Sequence, residues 1–167
     1  VRVARGIPFL LVELGRAVAL APARPPKGLE EILSGRLLGC TPVAGQMLDL
    51  LCVAGRPLTL SVVERAIAAP SDSWQAALEL CSKRLARFRG GEAERSLEPY
   101  HGLVQSARLP QLPVERQRAL HARLASAMDE LGMDEPETIL QHLLAAGDRE
   151  RAAVHAIRAA EQTAERF

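Results

Sequence analysis

Apolar residues recur at helical spacing over most of this chain, and this periodicity restricts it to a mainly helical fold. Prolines and glycines interrupt the pattern at short intervals, so we expect many short helices connected by turns. The predicted helices cover 7–20, 29–38, 43–54, 59–69, 73–88, 101–108, 113–131, 136–146 and 149 onward.

One segment departs from helical periodicity. Arg89-Gly90-Gly91-Glu92 is typical of a hairpin turn, and residues 95–100 are predicted to be extended. Three helices followed by a small β-wing are the organisation of a winged helix. The sequence therefore predicts a winged-helix-like domain over 28–108, preceded by a proline-rich linker at 21–28.

The last third of the chain, 109–167, is predicted to form antiparallel α-hairpins of TPR-like type. The buried face of the final helix is predicted to consist of small residues, namely Ala152, Ala153, Ala156, Ala159 and Ala160. Because one hairpin cannot bury its own face, we expect the repeat to continue beyond Phe167. The start at Val1 shows no signal peptide, and we expect both ends to be cut from a longer protein.

Composition argues against several classes of protein. Of the 167 residues, 48% are hydrophobic and 25% are charged, which is typical of a soluble globular chain. The longest apolar run without a charge, 6–12, is too short to span a membrane. The net charge of +1 and the aromatic content of 3% argue against a nucleic-acid binder. Cys40, Cys52 and Cys81 lack C-x-x-C spacing, which predicts reduced thiols in a cytoplasmic protein.

The sequence contains none of the common catalytic motifs. There is no G-x-x-x-x-G-K-[ST] loop, protein-kinase signature, G-x-S-x-G motif or H-E-x-x-H pair, so we expect no catalytic residues and no metal site. His121, His142 and His155 are dispersed and are predicted to lie on helix surfaces or to have satisfied hydrogen bonds. The basic run 83–89 is predicted to form the solvated last turns of a helix, where it complements the helix dipole.

Two places remain as candidate binding sites. The first is Gly6-Ile7-Pro8-Phe9 at a helix start, and the second is Pro99-Tyr100-His101-Gly102, where the wing leads into a helix. A histidine at a helix N-terminus can donate an N–H to an anion, beside unpaired backbone N–H groups. Local capping of the helix is the alternative interpretation at both places.

In their order along the chain, these segments resemble a known family. Residues 6–14, Gly-Ile-Pro-Phe-Leu-Leu-Val-Glu-Leu, are similar to the G-x-P-F-F-L-x-E-L stretch that ends the ATPase core of bacterial STAND-type signalling NTPases. Residues 29–37 resemble the helix that follows it, and 43–100 resemble the winged-helix domain. One branch of the family, attached to bacterial serine/threonine protein kinases and LuxR-type regulators ahead of TPR arrays, resembles this chain at 97–101, 118–121 and 141–148.

The resemblance implies a nucleotide-dependent switch whose winged helix folds over ADP or ATP, with Mg, in the parent protein. It implies that Gly6 and Pro8 contact the adenine and that His101 contacts the phosphates. Residues 1–27 would be the end of the ATPase core and a linker, and the rest of that ATPase would be the first partner. The parent is expected to be a serine/threonine protein kinase, with protein partners on the helical C-terminal part. The chain alone is expected to lack activity and cofactor, because the phosphate-binding loop would lie upstream.

Two alternatives belong to other functional classes. The first is a DNA-binding winged-helix regulator with helix 73–88 in the major groove, although the first half of that helix contains no Arg or Lys to reach base edges. The second is a plain helical scaffold for protein partners, which an exposed apolar patch on 137–164 would support. We expect no nucleic-acid or membrane partner.

Overall fold

The computed structural model describes residues 8–20, 29–67, 70–91 and 95–165, and these are mainly helical, as the periodicity predicts. The described helices are α1 (Pro8–Leu20), α2 (Leu29–Leu37), α3 (Pro42–Ala54), α4 (Leu60–Ala66), α5 (Ser73–Ser82), α6 (Gly102–Arg108), α7 (Val114–Glu130), α8 (Pro136–Ala146) and α9 (Arg149–Glu165). The described strands are β1 (Leu58–Thr59), β2 (Ala86–Arg89) and β3 (Ser96–Pro99).

The three described strands form a small antiparallel sheet in the order β1-β3-β2. Leu97 of the central strand β3 pairs with Leu58 on one side and with Phe88 on the other. Leu97 and Leu58 are buried, so the sheet is anchored on the helices through these side chains. Gly90, with a φ of 87°, follows β2 in the left-handed region that glycine adopts without steric cost.

The prediction of one continuous helix over 73–88 is wrong. α5 ends at Ser82, and 86–89 form β2. Arg84, with a φ of 55°, takes the left-handed conformation that stops the helix. Leu85 and Phe88 fit a helical spacing, but over so short a stretch the alternation of buried Ala86 and exposed Arg87 fits a strand equally well.

Helix α3 lies at the centre of the core. Thr41 begins it by accepting the backbone N–H of Ala44 on Oγ1 at 3.3 Å, and Gly55, with a φ of 69°, ends it. Helices α5, α6 and α7 and strand β3 all pack on α3. Its fully buried apolar side chains are those of Ala44, Met47, Leu48, Leu50, Leu51 and Cys52.

In the C-terminal part, α7 packs on α8 and α8 packs on α9. Gly147 ends α8 with a φ of 87°, and Asp148 Oδ1 accepts the backbone N–H of Arg151 at 3.1 Å, which confirms Asp148 as the predicted cap of α9. The predicted alanine face is wrong in part. Ala152 and Ala159 are buried, whereas the remaining three alanines are exposed, because α9 turns His155 toward α7.

A buried carboxylate connects the core helix to the C-terminal part. Asp49, in the middle of α3, is only 1% exposed. Its Oδ1 accepts from Arg108 Nε of α6 at 2.7 Å, and its Oδ2 accepts from Arg116 Nε of α7 at 2.9 Å. Both oxygens are therefore used, and one acidic side chain joins three helices.

Replacing Asp49 with asparagine should lower the free energy of unfolding by about 3 kcal/mol, because it leaves two guanidinium groups without their buried counter-ion. Urea denaturation followed by circular dichroism measures this. The matched control is Glu115→Gln, an exposed acidic position at the start of α7, where we expect a change of a few tenths of a kcal/mol. Equal small effects for the two variants would contradict the role given to Asp49.

Candidate functional site

The structure locates one of the three predicted nucleotide contacts in full. Gly6 lies outside the described residues, and Pro8 begins α1 with a side chain that also lies outside them. His101 is half-buried and forms the N-cap of α6. Its proximity to Gly6 and Pro8 therefore stays a prediction.

His101 has a defined hydrogen-bonding role. Its Nδ1 accepts the backbone N–H of Leu103 at 3.1 Å, so it caps the helix as the local interpretation expects. Because Nδ1 is the acceptor, the neutral ring carries its proton on Nε2. The capping bond thus fixes the tautomer and makes Nε2 a donor at the start of α6.

A buried carboxylate of α1 lies near the turn between α5 and β2. Glu13 is 1% exposed and forms an ion pair with Arg36 of α2; Arg84 and Arg16 approach it at 4.0 and 3.7 Å. We call Glu13, Arg16, Arg36 and Arg84 the Glu13 cluster. It contains three guanidinium groups and one carboxylate, which leaves two formal positive charges.

The turn containing Arg84 connects this cluster to His101. The carbonyl of Leu85, the next residue, accepts the backbone N–H of Tyr100 at 3.0 Å. Tyr100 directly precedes His101, so Arg84 and His101 each lie one residue from the two ends of this backbone hydrogen bond. The left-handed conformation of Arg84 is uncommon for a residue other than glycine, and such positions concentrate at functional sites.

The sequence predicts a helix over 7–20 but assigns Glu13 no partner, so the Glu13 cluster is not predicted. A single acidic residue within an apolar stripe is the signal that would have identified a buried ion pair. The identity of its partners depends on tertiary contacts and has no local signal.

The basic run 83–89 is not the end of a helix, and the prediction for it is wrong. Lys83 donates to the carbonyl of Gly39, and Arg87 Nε donates to Glu98 Oε1 at 2.8 Å across the sheet. Arg89 also approaches Glu98, at 3.5 Å. Arg87 and Arg89 therefore connect strands of the sheet and do not complement a helix dipole.

His121 and His142 form a pair between α7 and α8. Their Nδ1 atoms share a hydrogen bond at 2.9 Å, and His142 is 5% exposed. Its Nε2 has no hydrogen-bond partner among the described residues, so the prediction of a satisfied or surface histidine is wrong for His142. Burial, together with the charges of His121 and Arg56, lowers the pKa of His142 to about 4; burial also lowers the pKa of His121.

The cysteines are free thiols. Burial raises the pKa of Cys52 to about 12 and also raises the pKa values of Cys40 and Cys81, which favours the unreactive protonated form. Within the described ranges, no group of three or more His, Cys, Asp or Glu side chains could hold a metal ion. Among the described helices, none has the length and apolar character that a membrane span requires.

Searches of protein-family models, curated proteins and solved structures find no match to this chain.

Removing the charge of Glu13 should loosen α1. In Glu13→Gln, the half-buried Arg36 loses its counter-ion, so we expect amide hydrogen exchange in α1 to accelerate at least about tenfold relative to the parent chain. The control is Glu30→Gln, an exposed acidic residue at the start of α2. If both variants exchange at the parent rate, Glu13 does not hold α1 in place.

Acid should destabilise the chain through His142. Its pKa is about 4 in the folded state and about 6.5 when unfolded, so the unfolded state binds more protons between these values, and stability falls as the pH drops through that window. From pH 7 to pH 5 we expect a loss of about 2 kcal/mol. Urea denaturation at the two pH values checks this, and His142→Leu should remove most of the difference. An unchanged pH dependence in that variant would mean that groups other than His142 cause the loss of stability.

Proposed function

We propose that this chain is a regulatory and interaction segment of a nucleotide-dependent signalling ATPase of the STAND type. Region 28–108 is a winged-helix-like domain that acts as a lid over the ADP or ATP site of an adjoining ATPase core. Region 109–167 forms TPR-like hairpins that connect the lid to a sensor array. The parent is a serine/threonine protein kinase that carries this ATPase module, with Mg and the nucleotide bound outside this chain.

The observation that carries the proposal is the topology of the first part. From α3 the order is helix, strand, helix, helix, strand, strand, and β3 lies between β1 and β2. This order supports a winged-helix-like domain, with α5 as its third helix and β2–β3 as its wing. The packing of α1 on α2 and of α7 on α3 and α4 joins this domain to the elements on both sides, as a lid between two partners requires.

The charges near α6 suit a phosphate. His101 has its proton on Nε2 at a helix start, and the Glu13 cluster, with an excess of two positive charges, includes Arg84, which adjoins the residue that bonds the backbone of Tyr100. A donor and positive charge together favour an anion. Arg16 and Arg84 retain 46% and 39% side-chain exposure, so solvent and a ligand can reach them.

An interaction surface on α8 and α9 supports the connecting role of the C-terminal part. Leu144, Val154 and Ile157 are 58%, 51% and 63% exposed, and Ala153 and Ala160 are exposed on the same helix. Val154 and Ile157 lie one turn apart on α9, and exposed apolar side chains on one helix face favour protein contact. The same surface serves the scaffold alternative, in which the chain only binds protein partners.

The DNA-binding alternative receives less support from the side chains. The exposed residues in the first turns of α5 are Trp74, Gln75 and Leu78, which offer no cation to phosphates or base edges. Arg87 and Arg89 of the wing both face Glu98. A duplex titrated at low salt should therefore bind weakly, without the steep salt dependence of a DNA-binding protein.

The test uses the chain together with the ATPase core that would precede it in the parent protein. His101→Asn retains a capping acceptor but loses the ring donor, so ADP should bind roughly tenfold more weakly by calorimetry, which is the effect of one hydrogen bond to a charged group. Ser106→Ala, one turn further along α6, is the control and should bind ADP like the parent.

The 167-residue chain alone should show no micromolar affinity for ADP or ATP. Micromolar binding by the chain alone would show that it has a nucleotide site of its own, and this would contradict the proposal that it acts as a lid. Unchanged ADP affinity in His101→Asn would remove His101 from the site.

A further inference from the structure

A cavity of about 420 Å³ lies between the end of α7, the start of α8 and the middle of α9. This volume is within the range of about 300–1,000 Å³ that is usual for small-molecule sites. The cavity lies on the C-terminal helices, outside the proposed nucleotide lid, and the exposed Leu144, Val154 and Ile157 do not line it. The cavity is therefore a separate candidate binding site.

The cavity has an apolar side. Met133, in the turn between α7 and α8, lines it together with Pro136 and Ile139 of α8. Pro136 and Ile139 are buried, and Met133 is half-buried. A flexible methionine beside two fixed apolar side chains can accommodate an aliphatic group of moderate size.

Charges of both signs lie on the other side. Arg158 and Glu161 of α9 line the cavity, are exposed, and have no ion-pair partner among the described residues. Asp134 accepts a hydrogen bond from Gln162 but has no cation as a partner in the same part of the chain. The cavity therefore offers one guanidinium group and two carboxylates that form no ion pair among the described residues.

His155 adds a buried group with one unused nitrogen. It lines the cavity and is 5% exposed. Its Nε2 lies 3.1 Å from Asp129 Oδ1, and Asp129 is also held by Arg151 at 2.8 Å. The Nδ1 atom is buried and has no hydrogen-bond partner among the described residues. With the proton on Nε2 facing Asp129, Nδ1 is an acceptor, and a buried polar atom without a partner is uncommon unless a ligand or water completes it.

We propose that this cavity binds a free α-amino acid with an aliphatic side chain. The α-carboxylate pairs with Arg158, and the α-ammonium donates to Glu161 and Asp134 and to Nδ1 of His155. The aliphatic side chain packs on Met133 and Ile139. His155, Arg158 and Gln162 recur at positions i, i+3 and i+7 of α9, so one face of that helix presents the polar part of the site.

The mixture of charges selects the ligand class. An amine without a carboxylate would lie beside Arg158 with no group to offset that cation. A carboxylate without an amine would face Glu161 and Asp134 and would leave the acceptor on His155 without a donor. A zwitterion satisfies all of these groups at once, and an unpaired charge in such a site costs affinity.

Three ligands that share one side chain distinguish a zwitterion from an amine or a carboxylate alone. The full chain is titrated with L-leucine, L-leucinamide and N-acetyl-L-leucine while the methionine methyl signals are followed by NMR. Met133 reports on the cavity, and the buried Met47 and Met128 are internal references. We expect leucine to shift the Met133 signal saturably, and both blocked analogues to bind at least tenfold more weakly, since each lacks one charge contact.

Matched variants test the residues. Arg158→Gln should weaken leucine binding at least tenfold and remove the preference for leucine over leucinamide, whereas Arg149→Gln, an exposed arginine in the first turn of the same helix, should bind leucine like the parent. The proposal is overturned if leucine gives no saturable shift, if leucinamide binds as tightly as leucine, or if both arginine variants lose binding equally.

Discussion

The ion pairs of Asp49 are the constraint on which the arrangement of the rest depends. A carboxylate that is 1% exposed would be strongly destabilising in the centre of α3 without cations on both oxygens. Arg108 of α6 and Arg116 of α7 supply these cations. Both helices must therefore meet α3 at Asp49. The position of α7 in turn determines where α8 and α9 pack, and with them the cavity lined by His155.

A second buried carboxylate held by arginines lies in α1. Glu13 is as deeply buried as Asp49 and is also surrounded by arginines, but among the described elements α1 packs mainly on α2. A helix held by a few charges separates more readily than one held by a large apolar interface. We therefore expect α1 to separate from the described structure more readily than the helices that meet at Asp49.

Sequence patterns predict the helices well and the polar contacts poorly, for a physical reason. The helices are encoded locally. Pro42 and Pro136 lie where α3 and α8 begin, and Gly55 and Gly147 lie where they end. The predicted boundaries of these two helices agree with the structure to within one or two residues. Strand β2 was missed because four residues are too few to distinguish a period of two from one of 3.6. Asp49, Glu13 and His142 have partners far away in the sequence, and no local pattern specifies which arginine or histidine a buried polar group will meet.

Arginine supplies the cations at both buried carboxylates. Lys27 and Lys83 are the lysines of this chain, and the cations at Asp49 and Glu13 are all arginines. A guanidinium group remains charged when it is partly buried and offers several N–H donors in a plane, whereas a buried ammonium loses its proton more readily. Arg151 illustrates the advantage, since it donates to Ser126 at 3.1 Å and to Asp129 at 2.8 Å, and Asp129 in turn faces His155. One arginine thus positions the acid that sets the histidine tautomer, and the unused nitrogen that results is the feature that distinguishes the α9 cavity from an ordinary surface cleft.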